Sequence, residues 1–482
     1  MAKGKGSEPV QLDTRWVRTG ELPMEGVAPA DLHALLPLGV RGHRQIQIER
    51  ERGRMGFFDL ADPDSRAWKD SKKLAAKCWK AGFTDFLVLG IGGSALGAKA
   101  IQQALSPETQ AGWPAWGKAP GKGRPRVRMR VLDNIDPTTL LPILETIDPK
   151  RTLVNVVSKS GGTVETTAQF LLAAKRFQAA LGKKWAGHFV FTTDPEQGDL
   201  RRLASEAKIE TLDVPPSVGG RFSVLSAVGL FPAAILGVDG AEILAGAHAM
   251  RLRCEFAEIE KNPAYYYAAA HVILQKKIGA NVSVLLPYCD GLGELSRWHA
   301  QLWAESLGKR KTRTGKTVRS GLTPVVALGV TDQHSQLQLY LEGPRDKVVT
   351  LLRVEDAGAG PVLPAAPVGQ KEEGAAGYLS GHRLGDLFAA ERDATKAALV
   401  RNGVPLFELR VPRLSAHALG ELFFFFQVAT TFAGELLGIN PLDQPAVEEG
   451  KRYAAGLLGR PGYEDLARQI APFRNADKNF LM

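Results

Sequence analysis

Short apolar runs separated by amphipathic stretches recur in two series along the 482-residue chain. In the first, Phe86–Leu89, Val127–Leu132, Thr152–Val157 and His188–Thr192 read as strands, while Ala95–Ala104 and Thr163–Ala180 carry helical periodicity. In the second, Val282–Pro287, Pro324–Gly329, Val348–Val354 and Leu406–Val411 read as strands, with helices over Glu294–Leu307 and His334–Leu341. Strand runs that alternate with helices specify parallel sheets covered on both faces. The long apolar stretch Arg221–Ile259 reads as helix and links the halves. Gly112–Lys122, rich in Gly, Pro and Trp, reads as a surface loop, and Ala357–Gln370 as a connector. The expectation is an α/β chain of two doubly wound parallel-sheet domains, 80–235 (smaller) and 236–482 (larger). A helical arm, 1–79, precedes them and packs on the larger domain, and helices form the C-terminal tail.

Composition narrows the class. A hydrophobic share of 44% and a charged share of 23% are those of a globular chain. The balance of 61 basic against 51 acidic residues, +10 in all, suits an anionic partner or simply a basic surface. The densest basic stretches, Lys118–Arg130 and Lys309–Arg319, have no interleaved aromatics and no zinc-finger or RNA-recognition pattern, which argues against nucleic acid. Three cysteines, Cys78, Cys254 and Cys289, with no CxxC pair, read as reduced thiols of an intracellular protein. No apolar core follows the polar Met1–Pro9, so a cytoplasmic location is expected. The most apolar segment, Leu422–Ile439, contains Gln427, Thr430, Thr431 and Glu435. A carboxylate within it is costly in hydrocarbon, so the segment reads as a buried helix and no membrane partner is expected.

Two strand-to-helix turns have the chemistry of anion sites. Gly90–Ser94 follows the Phe86 strand, and its glycines let backbone amides approach an anion at a helix start. It lacks the Gly-Lys-Ser/Thr of a P-loop, and Asp133 comes too late for the dinucleotide fingerprint. A turn without a ligand is the plainer alternative. In Ser158–Thr166, which follows the Thr152 strand, four hydroxyls and two glycines fall within nine residues. Capping a helix needs one or two hydroxyls, not four, so this loop reads as a phosphate site built from hydroxyls and amides.

These paired loops resemble those of the sugar isomerase (SIS) fold and, more narrowly, of the phosphoglucose isomerase family. The resemblance implies that Ser158, Ser160, Thr163 and Thr166 supply hydroxyls, with Lys159 lending its amide, and that Gly92, Gly93 and Ser94 complete the phosphate site. Four further segments match the family in order. Gln301 and Glu305 stand four apart on one helical face ahead of Ser306-Leu307-Gly308-Lys309; alone, Glu305 reads as a solvated helix glutamate, but the likeness makes it the base with Gln301 beside it. His334, one of nine histidines, follows Asp332-Gln333 at a strand-to-helix turn and matches the ring-opening group, which in the family reaches the pocket from the neighbouring subunit. Arg221 after Gly219-Gly220 matches the cation that stabilises the enediolate. Gln444 and Lys451 match the C-terminal signature, as a substrate ligand and a helper at the ring oxygen. Within this segment Pro445-Ala446 replaces a common Trp-Gly pair, and Asn440-Pro441 reads by itself as a helix start.

The resemblance thus implies reversible interconversion of glucose 6-phosphate and fructose 6-phosphate by ring opening and cis-enediol proton transfer, in a homodimer, with no metal or organic cofactor. Rival readings are an isomerising aminotransferase, disfavoured because residue 2 is Ala where an N-terminal cysteine is needed; an enzyme that also accepts mannose 6-phosphate; and a sugar-phosphate sensor, disfavoured because Glu305 and His334 are both present.

Overall fold

Two five-stranded sheets form the frame, and their strand orders share a plan. In chain order the strands are β1 (Gln11–Asp13), β2 (Asp85–Leu89), β3 (Arg128–Leu132), β4 (Thr152–Val157), β5 (Phe189–Thr193), β6 (Glu210–Asp213), β7 (Val282–Tyr288), β8 (Lys309–Lys311), β9 (Thr317–Ser320), β10 (Thr323–Val326), β11 (Lys347–Val354) and β12 (Leu406–Val411). The structure is a computed structural model that describes residues 8–106, 127–365 and 375–474. The Gly112–Lys122 loop, most of Lys118–Arg130, the end of the Ala357–Gln370 connector and residues 1–7 lie outside the described residues.

The first sheet runs β3-β2-β4-β5-β6, all parallel. β2, β4 and β5 are buried along their whole length, as expected of strands covered on both faces. The second runs β1-β12-β11-β7-β10, parallel except for β1, which pairs antiparallel with β12 at the edge. In each sheet the first strand of the parallel series lies between the second and the third: β2 between β3 and β4, β7 between β10 and β11. The chain leaves these central strands in opposite directions, so each sheet has a switch point where the carboxyl ends of neighbouring strands open a crevice. Gly90–Ser94 and Ser158–Thr163 lead from the two strands that flank the first of these points.

The helices that follow β2 and β7, Leu96–Leu105 and Gly293–Leu307, occupy equivalent places in the two units and pack against each other. The amide of Glu294 donates to Gln103 Oε1 at 2.5 Å across that contact. The equivalence carries the Gly92 turn of one unit to the Glu305 helix of the other.

The apolar segment Leu422–Ile439 belongs to the helix Ala416–Leu436, buried without a break from Ala418 to Leu436. Among the described residues no helix is long and apolar enough to cross a membrane. Against this helix lies Gly240–Arg253, with backbone touching backbone. A Cβ on Gly246 would stand 1.8 Å from the carbonyl oxygen of His417, and one on Gly420 would stand 1.9 Å from that of Ile243.

Several local expectations differ from the structure. Arg221–Ile259 is three pieces, a 3-10 turn (Gly220–Leu225) and the helices Ala227–Ile235 and Gly240–Arg253, because Ser226 and Asp239 each cap a new start through their side-chain oxygens. His334–Leu341 shrinks to a 3-10 turn, Thr331–Gln333, and a short helix, Leu337–Glu342. Asn440-Pro441 starts no helix: the Asn440 side chain accepts from the amide of Leu442 in a turn, and the helix begins at Val447. The N-terminal arm divides its packing. Its β1 and the helix Pro29–Glu51 lie on the second unit, whereas the helix Arg66–Lys80 lies on Ala227–Ile235 of the first.

The close approach of the two central helices gives a test with a definite sign. Gly→Ala within a helix ordinarily gains about 0.5–1 kcal/mol, but a Cβ under 2 Å from a carbonyl forces the helices apart. Gly420→Ala is therefore expected to lower stability by about 1–3 kcal/mol, as overpacking does. Gly450→Ala, with open space around the added carbon, is expected to be neutral or stabilising. Denaturant midpoints of the two variants check the contrast.

Candidate active site

Arg221 is the junction of the site. It sits in the 3-10 turn after Gly219-Gly220 and is only 4% exposed. Its Nε donates to Ser306 Oγ at 2.7 Å. Nη1 donates to Glu305 Oε2 at 3.3 Å and Gln444 Oε1 at 2.8 Å, and Nη2 to the carbonyls of Pro441 at 2.6 Å and Asp443 at 3.1 Å. A guanidinium has five N–H donors, and here five acceptors meet them. Burial pulls its pKa down from the ordinary value, while the charges of Glu305 and Asp443 oppose the shift.

Glu305 and Gln301 lie one turn apart on the helix Gly293–Leu307, as their spacing requires. Gln301 Nε2 donates to Glu305 Oε1 at 3.1 Å, so each carboxylate oxygen has a donor. The Glu305 side chain is 32% exposed, leaving it open to a ligand. Among the described residues, buried Gln301 Oε1 has no hydrogen-bond partner. Gly92, at φ +57°, passes so close that an added Cβ would stand 2.7 Å from Gln301 Nε2. A Cβ on Gly93 would stand 2.3 Å from the carbonyl oxygen of Gly220. Only residues without a side chain let this turn rest on both the Glu305 helix and the arginine turn. The Ser94 amide closes the turn on Ile91 O at 3.1 Å.

The second loop begins at buried Ser158, whose Oγ lies 2.9 Å from Thr163 Oγ1. Ser160 Oγ accepts from the amide of Gly162 at 3.4 Å, and Gly161 takes φ +70° with Asp199 N only 2.9 Å from a would-be Cβ. Thr163 stands at the helix N-cap without making a capping bond through its side chain, and buried Thr166 Oγ1 has no hydrogen-bond partner among the described residues. The hydroxyls are thus not consumed by capping. Lys159 reaches away from them: its ammonium donates to the carbonyls of Pro216 at 2.7 Å and Val218 at 2.9 Å. Burial lowers its pKa, with Asp194 opposing. This lysine ties the hydroxyl loop to the stretch of chain that runs into Gly219-Gly220-Arg221. A cavity of about 330 Å³ lies against this junction, lined by Lys159, Gly219, Leu442 and Asp443 among others.

The structure therefore joins Gly92, Gly93, Gln301, Glu305, Arg221 and Gln444 directly, and the Ser158–Thr166 loop through Lys159. Two candidates make no bond to these groups among the described residues. Lys451 is exposed on the helix Val447–Leu457 and pairs with Glu448 at 2.7 Å. His334 is exposed beyond the turn after β10, and among the described residues its ring makes no hydrogen bond to the others. The turn that carries it is nonetheless well fixed: Asp332 accepts from the amide of Leu328 and the hydroxyl of Ser335, and Gln333 bonds to Tyr288, Thr395 and Glu391. Sequence reasoning missed Pro441 and Asp443, which serve Arg221 through backbone carbonyls that any residue type offers. Ser306 lay within a motif already singled out.

Residues 68–362 match the family model described as Phosphoglucose isomerase. A glucose-6-phosphate isomerase of Carboxydothermus hydrogenoformans is 40% identical over 464 residues, 96% of this chain and 96% of that protein. One of Rubrobacter xylanophilus is 45% identical over 398 residues, covering 82% and 87%. Among solved structures, a hypothetical protein from Thermus thermophilus superposes with a TM-score of 0.78 at 36% identity, covering 93% of this chain and 100% of that one. A glucose-6-phosphate isomerase from Chlamydia trachomatis gives 0.73 at 25% identity, covering 94% and 91%. With a family match over more than half its length, relatives at 40–45% identity over most of it, and their fold, this chain belongs to the phosphoglucose isomerase family.

Proposed function

We propose that the protein is an aldose–ketose isomerase that interconverts glucose 6-phosphate and fructose 6-phosphate. The observation that carries this reading is the pairing of a half-open carboxylate, Glu305, with a buried guanidinium at 3.3 Å, beside two loops able to receive a phosphate. Moving a proton between C1 and C2 needs a carboxylate within reach of both carbons and a fixed cation near the oxygen that gains charge. Glu305 takes and returns the proton. Arg221, already held by its neighbours, acts as a preorganised charge that need not reorient as the enediolate forms. Ser158, Ser160, Thr163 and Thr166 receive the phosphate with the Gly92–Ser94 turn. Gln301 and Gln444 orient the sugar between them.

Ring opening falls to His334, assisted by Lys451. By likeness to the family, the reading places His334 in the pocket of a second copy, in a homodimer. We retain 80–235 and 236–482 as the two domains, with the arm 1–79 bridging them. Acting on a phosphorylated metabolite that does not cross bilayers, the enzyme is placed in the cytoplasm.

Three outcomes test this reading in a coupled assay that offers fructose 6-phosphate. Glu305→Gln is expected to lower kcat by about 10²–10⁴-fold with KM little changed, the range for loss of a positioned acid/base group. Retention of near-normal turnover would remove Glu305 as base. Ser158→Ala combined with Thr163→Val is expected to raise KM more than it lowers kcat, because it removes phosphate contacts present throughout the reaction. Co-refolding Glu305→Gln with His334→Ala subunits is expected to restore about a quarter of wild-type activity, since half of the randomly formed dimers carry one intact site. A pocket contained within one chain would gain nothing from the mixing.

A further inference from the structure

Lys309 is a buried cation in the same neighbourhood that the catalytic scheme leaves unused. It begins the hairpin β8–β9, directly after the helix that carries Gln301 and Glu305, and is 7% exposed. Its ammonium donates to the backbone carbonyls of Glu305, at 2.5 Å, and Ser306, at 3.1 Å. These belong to the last turn of the helix, where carbonyls lack intrahelical partners and positive charge is favoured. The ammonium also stands 3.8 Å from Asp443 Oδ1. Arg221 bridges the same segments from another side, through the Glu305 carboxylate, the Ser306 hydroxyl and the Asp443 carbonyl. Two cations thus span one seam. One grips side chains of the helix and the other its backbone.

We propose that Lys309 is a positioning residue for isomerisation, its ammonium locking the last turn of the Glu305 helix to the 440–444 segment and so fixing base and guanidinium relative to each other; this rests on the isomerase reading above. A simple helix-capping lysine needs neither burial nor a carboxylate on a separate segment. Here the partner is Asp443, the residue whose carbonyl holds Arg221. Losing the ammonium frees the helix end and leaves the Asp443 carboxylate with its Asn440 hydrogen bond but without its ion-pair partner. A displacement of about 1 Å at a reacting group costs on the order of a hundredfold in rate.

The surroundings also give the role a pH signature. Burial, and then the charge of Arg221, push the Lys309 pKa down to about 8, against the pull of Asp443 and Glu305. Arg310, Lys311 and Arg313 of its own hairpin and Glu449 from the C-terminal helix line the adjoining cavity of about 600 Å³. The ammonium is complete below that value and loses its charge as pH rises through it, so kcat falls on the alkaline side.

The test compares wild type, Lys309→Met and Lys309→Arg with fructose 6-phosphate from pH 6 to 10, each with its thermal midpoint recorded. Lys309→Met is expected to lose about ten- to a hundredfold in kcat at pH 7 with KM changed by less than about threefold, because alignment and not binding is lost. Lys309→Arg is expected to recover part of that kcat and to lose the alkaline fall near pH 8, since a guanidinium stays charged throughout. A folded Lys309→Met variant with wild-type kcat would overturn the proposal. So would a Lys309→Arg variant that keeps the limb near pH 8, and this second criterion decides if Lys309→Met does not fold. A wild type inert toward fructose 6-phosphate would sink the isomerase reading itself, whereas an active wild type with indifferent variants sinks only the role of Lys309.

Discussion

A guanidinium that cannot shed its proton has been removed from water at the centre of this molecule, and the geometry around it follows from that. Each of the five N–H groups of Arg221 must find an acceptor, because an unmet donor on a buried charge is strongly destabilising. The acceptors come from the last turn of the Glu305 helix and from the 441–444 segment, stretches more than a hundred residues apart in sequence. Satisfying one side chain therefore fixes the position of two others with chemistry of their own. Gln427 extends the same logic into the core, its amide donating to the carbonyl of Phe222 next to the arginine. The central buried helix, the arginine turn and the Glu305 helix act as one unit.

The two sheets explain why these pieces meet. Each places its first parallel strand between the next two, and each sends a helix from that strand toward the other unit. The packing of Leu96–Leu105 on Gly293–Leu307 sets two switch-point crevices against each other. One supplies the glycine and hydroxyl loops and the other a carboxylate. Neither half carries both, so the arrangement ties the chemistry to correct docking of the units. The N-terminal arm, which touches both, adds a third contact across that boundary.

What could be read in advance follows from where the information lies. Eight strands of the parallel series were legible because strands of a sheet covered on both faces carry apolar runs. β6 was not, since Glu210–Asp213 is an edge strand with half its residues exposed and no such run. β1 was not, since three residues gain strand character only by pairing with β12. The Arg221–Ile259 stretch reads as one helix because apolar content masks two local stops, Ser226 and Asp239. Within the site, the hydroxyl loop stood out through spacing and residue type, whereas Glu305 and Gln301 were singled out only by family likeness, their spacing alone fitting a solvated helix face. The partners of Arg221 at 441 and 443 were invisible, because a carbonyl leaves no mark in the alphabet of side chains.

Arg221 grips residues 441 and 443 by their main-chain oxygens. Geometry held in this way is indifferent to spelling at 441, where only the main-chain oxygen is used, whereas at 443 the carboxylate facing Lys309 restricts the lettering. Pro445-Ala446, where a Trp-Gly pair is common in the family, sits immediately beyond these anchors. Both residues line the cavity beside Lys309 and neither bonds to Arg221, so a change of side chain there reshapes the wall of that cavity first.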